Sequence, residues 1–191
     1  MYGFTLETQT CPDGVALDGG VFRSQSNRRF GLKLDVDDLE NPLVLEFANA
    51  ETSAALENFL STVGFFEPGQ DECSLHDVRR YQRDMRKRLA HAASGDPREV
   101  AKALVRLPAG EMGDTGLVPA LHGQRLTLKL GSLYVLLLME CAMVAERGCL
   151  ITRCQQCDVA FLTGSLTRRR SHAKFCSDRC RVASARARQS A

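Results

Sequence analysis

The sequence predicts an α+β protein: a mostly helical main domain with a small N-terminal β region, followed by a small cysteine-bearing module. Three observations predict it. Two-residue alternation is confined to residues 1–42, helical spacing of apolar residues dominates 43–150, and two close cysteine pairs stand in 151–191, where the charge changes sign. A chain of 191 residues is long enough for one main domain plus a module that needs help to fold. Its 44% hydrophobic and 25% charged residues are those of an ordinary globular protein, not of a disordered or fibrous one.

In the first region Phe4 to Thr8 alternates, Gly19-Gly20 breaks the chain, and Phe30, Leu32 and Leu34 alternate again, so a small sheet is expected there. Pro42 ends it, and Leu43 to Phe47 reads as a short strand or an extended lead-in. Ala54, Leu56, Phe59, Leu60 and Val63 then fall at helical spacing. Ser74 with Asp77 opens a second helix, with Val78, Tyr81, Met85 and Leu89 along one seam. Arg79, Arg80, Arg83, Arg86, Lys87 and Arg88 crowd its other faces. That basic face reads as a solvated surface partnered by the acidic remainder of the domain rather than as a nucleic-acid contact.

Asp96, Pro97 and Glu99 supply an N-cap, an N1 proline and an N3 acid ahead of Val100, Ala103 and Leu104. Gly110 to Gly123 reads as loop. Leu133 to Val144 is apolar nearly all round, with Ser132 suited to an N-cap and Gly148 to the C′ position. That run is too short for the roughly 20 residues a bilayer requires, so it reads as a buried central helix and no membrane partner is expected. Its one charged residue, Glu140, reads as a satisfied buried carboxylate or a residue at the helix edge. A helical domain of this size has room for a pocket that takes a small-molecule ligand, which no residue pattern names.

The C-terminal module reads C-Q-Q-C at Cys154 and Cys157 and C-S-D-R-C at Cys176 and Cys180. Two short cysteine pairs held apart by a loop supply four thiolates at tetrahedral corners, the preference of Zn²⁺. A redox C-x-x-C would need only one pair. His172 is a spare candidate ligand that four thiols make unnecessary. A knuckle at Cys154 to Cys157, a strand at Val159 to Leu162 with Phe161 as its core residue, a turn at Gly164-Ser165, and a helix from Asp178 capped by Ser177 together make a treble clef. A module with so few apolar side chains needs the metal, worth on the order of 10 kcal/mol, to fold. A closed four-thiolate shell leaves no position for activated water, so the one zinc is structural.

From Ile151 onward nine Lys or Arg face two Asp, which leaves the first 150 residues at about −5. Four thiolates and one Zn²⁺ add two negative charges and the module stays basic. No dinucleotide fingerprint, phosphate loop or nucleophile elbow occurs, and His172 alone does not make a nuclease; no enzyme is expected. Met1 to Thr10 has neither a basic n-region nor an apolar run, so the expected compartment is the reducing cytoplasm. Cys11, Cys73, Cys141 and Cys149 lack metal-like spacing, and Cys141 reads as a core residue.

The stretches R-C-Q-Q-C-D-V-A-F, R-R-R-S-H-A-K-F-C-S and D-R-C-R-V-A-S-A-R-A-R resemble the CGNR-type zinc fingers of bacterial proteins. In that family an ABATE domain precedes the finger, and L-V-L-E-F-A-N-A at Leu43 to Ala50 is similar to its opening signature. Leu56 to Phe66 is similar to its next helix. The resemblance covers about Leu43 to the C-terminus and implies a stress-linked transcription regulator or RNA binder. Cys180-Arg181-Val182-Ala183 replaces the family's Cys-Gly-Asn-Arg, so a role of that Gly-Asn-Arg does not carry over. Asn49 matches the family's asparagine and reads as a residue tying down backbone.

The nucleic-acid-binding candidates are Arg168, Arg169, Arg170, Lys174, Arg179, Arg181, Arg186 and Arg188, expected to clamp the phosphates of DNA or RNA. On a helix from Asp178, Arg179 and Arg186 fall on one side and Arg181 and Arg188 nearly opposite, so they cannot all enter one groove, and phosphate clamping is expected more than base reading. The competing reading is a protein-interaction module whose arginines meet an acidic partner or this protein's own acidic domain.

Overall fold

The alternating runs form strands β1 (Gly3–Thr10), β2 (Val15–Asp18), β3 (Val21–Ser24) and β4 (Phe30–Val36). They belong to a computed structural model that describes residues 3–36, 39–67, 69–96, 98, 118–122, 125–164 and 167–189. β1 and β4 pair antiparallel, with Leu6 opposite Leu34. These strands do not form a unit of their own. β7 (Arg125–Leu130) runs parallel to β1 with Leu6 opposite Leu130, and β6 (Val118–His122) adds antiparallel to β7, giving the order β4-β1-β7-β6. A second sheet, β2-β3-β5, recruits β5 (Glu72–Ser74), with the buried Phe22 opposite Cys73.

The expected loop at Gly110 to Gly123 is therefore a strand over residues 118–122. Its pairing partner decides the matter, and Pro119, which has no N–H to give, is tolerated because β6 is the edge. Asp96 accepts a hydrogen bond from the Arg98 N–H at 2.9 Å, as an N-cap does. The rest of that expected helix, Pro97, Glu99, Val100, Ala103 and Leu104, lies outside the described residues.

Helices α1 (Leu43–Asn49), α2 (Ser53–Val63), α3 (Leu75–Ala92) and α4 (Leu133–Glu146) build the core. Thr52, Ser74 and Ser132 cap the last three, accepting from Ala55, Asp77 and Val135. α4 is buried almost all round, as its unbroken apolar run requires. A chain of rings joins the helices: Phe47 stacks on Phe59 at 5.1 Å, Phe66 lies 5.5 Å from Phe47, and Tyr81 bridges Phe66 and Tyr134 at 4.7 and 5.2 Å. Gly64 ends α2 at φ 85°, ψ −169°, a conformation nearly restricted to glycine, and a Cβ there would collide with the Gln9 carbonyl.

Leu43 to Phe47, expected as extended, is instead the body of α1. Pro42 has no side chain to cap it. Glu140 of α4 does so, accepting from the N–H groups of Leu43 at 3.0 Å and Val44 at 2.6 Å. The C-terminal carbonyls are covered from α3: Gln82 donates to Phe47 and Ala50, Arg86 to Ala48, and Arg79 to Ala50 and Glu51. A carboxylate at the start and guanidiniums at the end complement the helix dipole of this short segment. Part of α3's basic face is thus occupied with α1, and Arg88 pairs with Asp84 at 2.7 Å.

The C-terminal module consists of the hairpin β8 (Leu150–Arg153) and β9 (Ala160–Thr163), then α5 (Asp178–Gln189). Cys154, Phe161 and Leu162 lie in the same buried apolar cluster as the helices, so the hairpin is packed onto the main domain. Cys11, Cys73, Cys141 and Cys149 are buried free thiols.

Candidate metal centre and basic surface

The hairpin tip turns through Cys154 to Cys157. Cys154 donates its N–H to the Val159 carbonyl at 3.0 Å, and Asp158 donates back to the Cys154 carbonyl at 2.9 Å. Asp158 itself takes φ 58°, a left-handed conformation that aspartate tolerates, and Arg153 braces its carboxylate at 2.9 Å. Gln155 donates to the Lys174 carbonyl at 3.0 Å, bringing the second cysteine pair to the first. The Ser177 hydroxyl accepts from the Cys180 N–H at 3.3 Å and so starts α5 with Cys180 in its first turn.

These contacts assemble Cys154, Cys157, Cys176 and Cys180. Their sulfurs all lie within 4.8 Å of one another. Cys157 to Cys176 is 3.6 Å, Cys176 to Cys180 is 3.6 Å and Cys180 to Cys157 is 3.7 Å. A tetrahedral ion with metal–sulfur bonds of about 2.3 Å sets its sulfurs about 3.8 Å apart, so the residues fit one metal ion. Burial raises the Cys154 thiol, yet the N–H groups of Cys176, Gln156 and Cys157 outweigh it and hold it down at about 6. His172 takes no part in the cluster.

The eight cations divide into different situations. Arg168, at φ 54°, pairs its Nε with the Glu40 carboxylate at 3.0 Å. Arg169 is half-buried: its Nε donates to the Cys176 carbonyl at 3.2 Å and its Nη1 to the Glu40 carbonyl at 3.0 Å, with the guanidinium 5.9 Å from the Phe161 ring centre. That side chain ties the Cys176 loop to the main domain. Arg170, Lys174 and Arg179 are exposed and have no side-chain partner among the described residues. Arg181 pairs with Asp178 at 3.0 Å and Arg188 donates to the Ser184 carbonyl at 3.3 Å; both are exposed, as is Arg186.

Arg168, Arg169, Arg170, Lys174 and Arg181 line an open groove of ≈ 660 Å³ beside the cysteine cluster, where Glu40 and Asp178 are the acids. Glu40 went unnoticed in the sequence because nothing local connects it to this groove. Asn49 is half-buried and ties down backbone: its Nδ2 donates to the Ala160 carbonyl at 2.9 Å and its Oδ1 accepts from the Ala160 N–H at 3.2 Å. A separate hollow of ≈ 490 Å³ lies between α1, α3 and the knuckle, bordered by Leu45, Asn49, Arg86, Arg153 and Val159. No described helix is long and apolar enough to cross a membrane. No family model, no curated protein and no solved structure matches the chain.

Proposed function

We propose that the cysteine cluster holds one structural Zn²⁺ in a treble-clef finger, and that the finger binds nucleic acid through its phosphates, in a cytoplasmic transcription regulator of the ABATE and CGNR type. The observation that carries this reading is the groove in which five cations face two acids beside the four-cysteine cluster. Guanidiniums and an ammonium at the rim of a rigid scaffold suit repeated phosphates, and each phosphate neutralised releases counterions. Four thiolates favour zinc over harder cations and leave no position for a substrate, which supports a binding module rather than an enzyme.

The test is fluorescence anisotropy of the zinc-loaded full chain with random duplex DNA and single-stranded RNA over a salt series, beside an Arg170→Ala/Lys174→Ala variant. Two lost phosphate contacts should lower the salt slope by about 2. A wild-type protein that binds neither polymer at low salt defeats the reading.

A second reading has its own observation. Arg168 and Arg169 already engage Glu40, so part of the finger's charge serves docking within this protein. A finger acting as a protein-interaction module would use its remaining cations on an acidic partner.

A further inference from the structure

Helix α3 carries six Lys or Arg against two Asp, and the fold accounts for only some of them. Arg79 and Arg86 cap the C-terminal end of α1, and Arg88 pairs with Asp84, which also accepts from the Tyr134 hydroxyl at 2.8 Å. Arg80 lies 5.1 Å from the Tyr81 ring centre and 3.6 Å from the Asp77 carboxylate. Arg83 and Lys87 are exposed and have no side-chain partner among the described residues. The expected neutralisation by the acidic remainder of the domain stops short of them.

These cations stand in one row. At about 100° per residue, His76, Arg80, Arg83 and Lys87 fall within about 60° of one another along about 16 Å of axis, and all four are exposed. Asp84 and Asp77, the two acids of the helix, stand to one side, about 40° and 60° beyond Arg80. Val78, Gln82, Met85 and Leu89, on the opposite side of the helix, are buried in the core. A lipid surface would take an apolar face together with the charge, and a protein interface an apolar centre; the row has neither. Cations alone, at regular intervals, suit a row of phosphates.

The row adjoins the finger. Arg86, one turn after Arg83, borders the hollow of ≈ 490 Å³ together with Arg153, Cys157 and Asp158. Cys157 lies 3.6 Å from Cys176, which lines the cationic groove of the finger. The hollow itself is balanced in charge, with Arg86 and Arg153 against Glu51 and Asp158. Resting on the nucleic-acid reading of the finger, we infer that the outer row of α3 is a second phosphate contact for the same nucleic acid, made by Arg80, Arg83 and Lys87. The polymer held in the finger groove continues past the hollow onto α3. The Asp77 pair of Arg80 is a half-exposed contact, readily exchanged for phosphate.

The experiment uses the zinc-loaded full chain and whichever of random duplex DNA and single-stranded RNA the wild type binds more tightly. It compares Arg83→Ala/Lys87→Ala with Arg23→Ala/Arg28→Ala, which removes the same charge from two arginines already paired with Glu72 and Asp13. Zinc content, circular dichroism and urea midpoints confirm that each variant folds. Arg83→Ala/Lys87→Ala should lower the salt slope by about 2 and weaken binding at least about tenfold at 0.1 M salt. Arg23→Ala/Arg28→Ala should weaken it by less than about threefold, since charges more than about 10 Å from the phosphates are screened at that salt. Equal losses in the two variants would reduce the effect to net charge and overturn the α3 contact. Loss of binding in Arg170→Ala/Lys174→Ala with Arg83→Ala/Lys87→Ala unaffected would also overturn it, while leaving the finger on phosphates. No binding by the wild type to either polymer removes the nucleic-acid reading itself, and this inference with it.

Discussion

Asn49 and Ala160 exchange two hydrogen bonds, at 2.9 and 3.2 Å, and through that pair the last residue of α1 holds the first residue of β9. The contact resembles one rung of a ladder, made by a side-chain amide in place of a third strand. Asn49→Ala leaves the Ala160 N–H and carbonyl without this partner and should cost about 1–3 kcal/mol. Asn49→Asp keeps the acceptor, loses the donor and sets a carboxylate against the Ala160 carbonyl, so it should cost as much. Urea unfolding measures the loss, and faster amide exchange at Ala160 locates it. Unchanged exchange at Ala160 in Asn49→Ala would show that the pair does not hold the hairpin.

Chelation should divide the C-terminal module in two. β8 and β9 are packed on the main domain through Phe161 and Leu162, and Ala173 and Phe175 of the following loop also pack against that core, whereas α5 is anchored by Cys180 in the cysteine cluster and by the Ser177 hydroxyl. Removing the metal should therefore abolish amide protection in α5 and leave it in residues 150–153 and 160–163. Metal analysis should find one zinc per chain, and Cys157→Ser or Cys180→Ser should reproduce the chelated pattern. Loss of protection throughout the main domain would mean that the hairpin depends on the metal as much as the helix does.

Glu140 should impose a pH dependence on stability. Burial pushes its carboxyl up from 4.5 to about 7, against the opposing effect of the Val44 and Leu43 N–H groups. Between those two values the folded protein keeps a proton that the unfolded chain releases. The stabilising contribution is thus complete below 4.5, declines as pH rises towards 7 and is flat above it. Relative to Glu140→Gln, whose side chain does not titrate, the wild type should lose on the order of 2 kcal/mol between pH 5 and pH 8. Urea midpoints of both proteins at the two pH values, with zinc saturating, provide the comparison; parallel pH profiles would remove Glu140 as the source.

The same residue shows where local reading of the sequence stops. The four clustered cysteines were legible because the spacing of metal-ligand pairs is set within a short stretch, and Ser74 and Ser132 were legible as caps because the N–H groups they accept from lie three residues away. α1 was not, because a helix of seven residues behind Pro42 depends on a cap supplied by Glu140 from another helix. β6 and β7 were missed for a related reason, since β7 finds its parallel partner β1 at the other end of the main domain. Charge runs predicted Arg169 as one cation among eight, while its hydrogen bonds to Cys176 and Glu40 depend on how the chain returns to the main domain.

Gly64 should tolerate no side chain. Gly64→Ala must either hold an L residue at φ 85°, ψ −169° or move α2 away from the Gln9 carbonyl. Conformational strain of this kind costs about 1–3 kcal/mol, and the collision adds to it, so a loss of at least about 2 kcal/mol is expected. Gly19→Ala also lies at positive φ but has open space around its Cβ, and should cost less. Equal losses in the two variants would mean that backbone conformation alone, and not the approach of α2 to β1, sets the requirement.

Glu40 provides a way to tell the two functional readings apart. Its carboxylate pairs with Arg168 at 3.0 Å, at the edge of the groove in which phosphate would sit. Arg168 is largely exposed, so Glu40→Gln should change stability by less than about 1 kcal/mol. For a finger that binds phosphates, the substitution removes an internal competitor and should tighten duplex DNA binding by about two- to fivefold while steepening its salt dependence. For a finger whose arginines serve docking to the main domain, it should loosen the loop at residues 167–170 and leave polyanion binding weak. Anisotropy titrations of the variant at two salt concentrations, paired with amide exchange over that loop, separate these outcomes, and weaker DNA binding by Glu40→Gln would count against the phosphate groove.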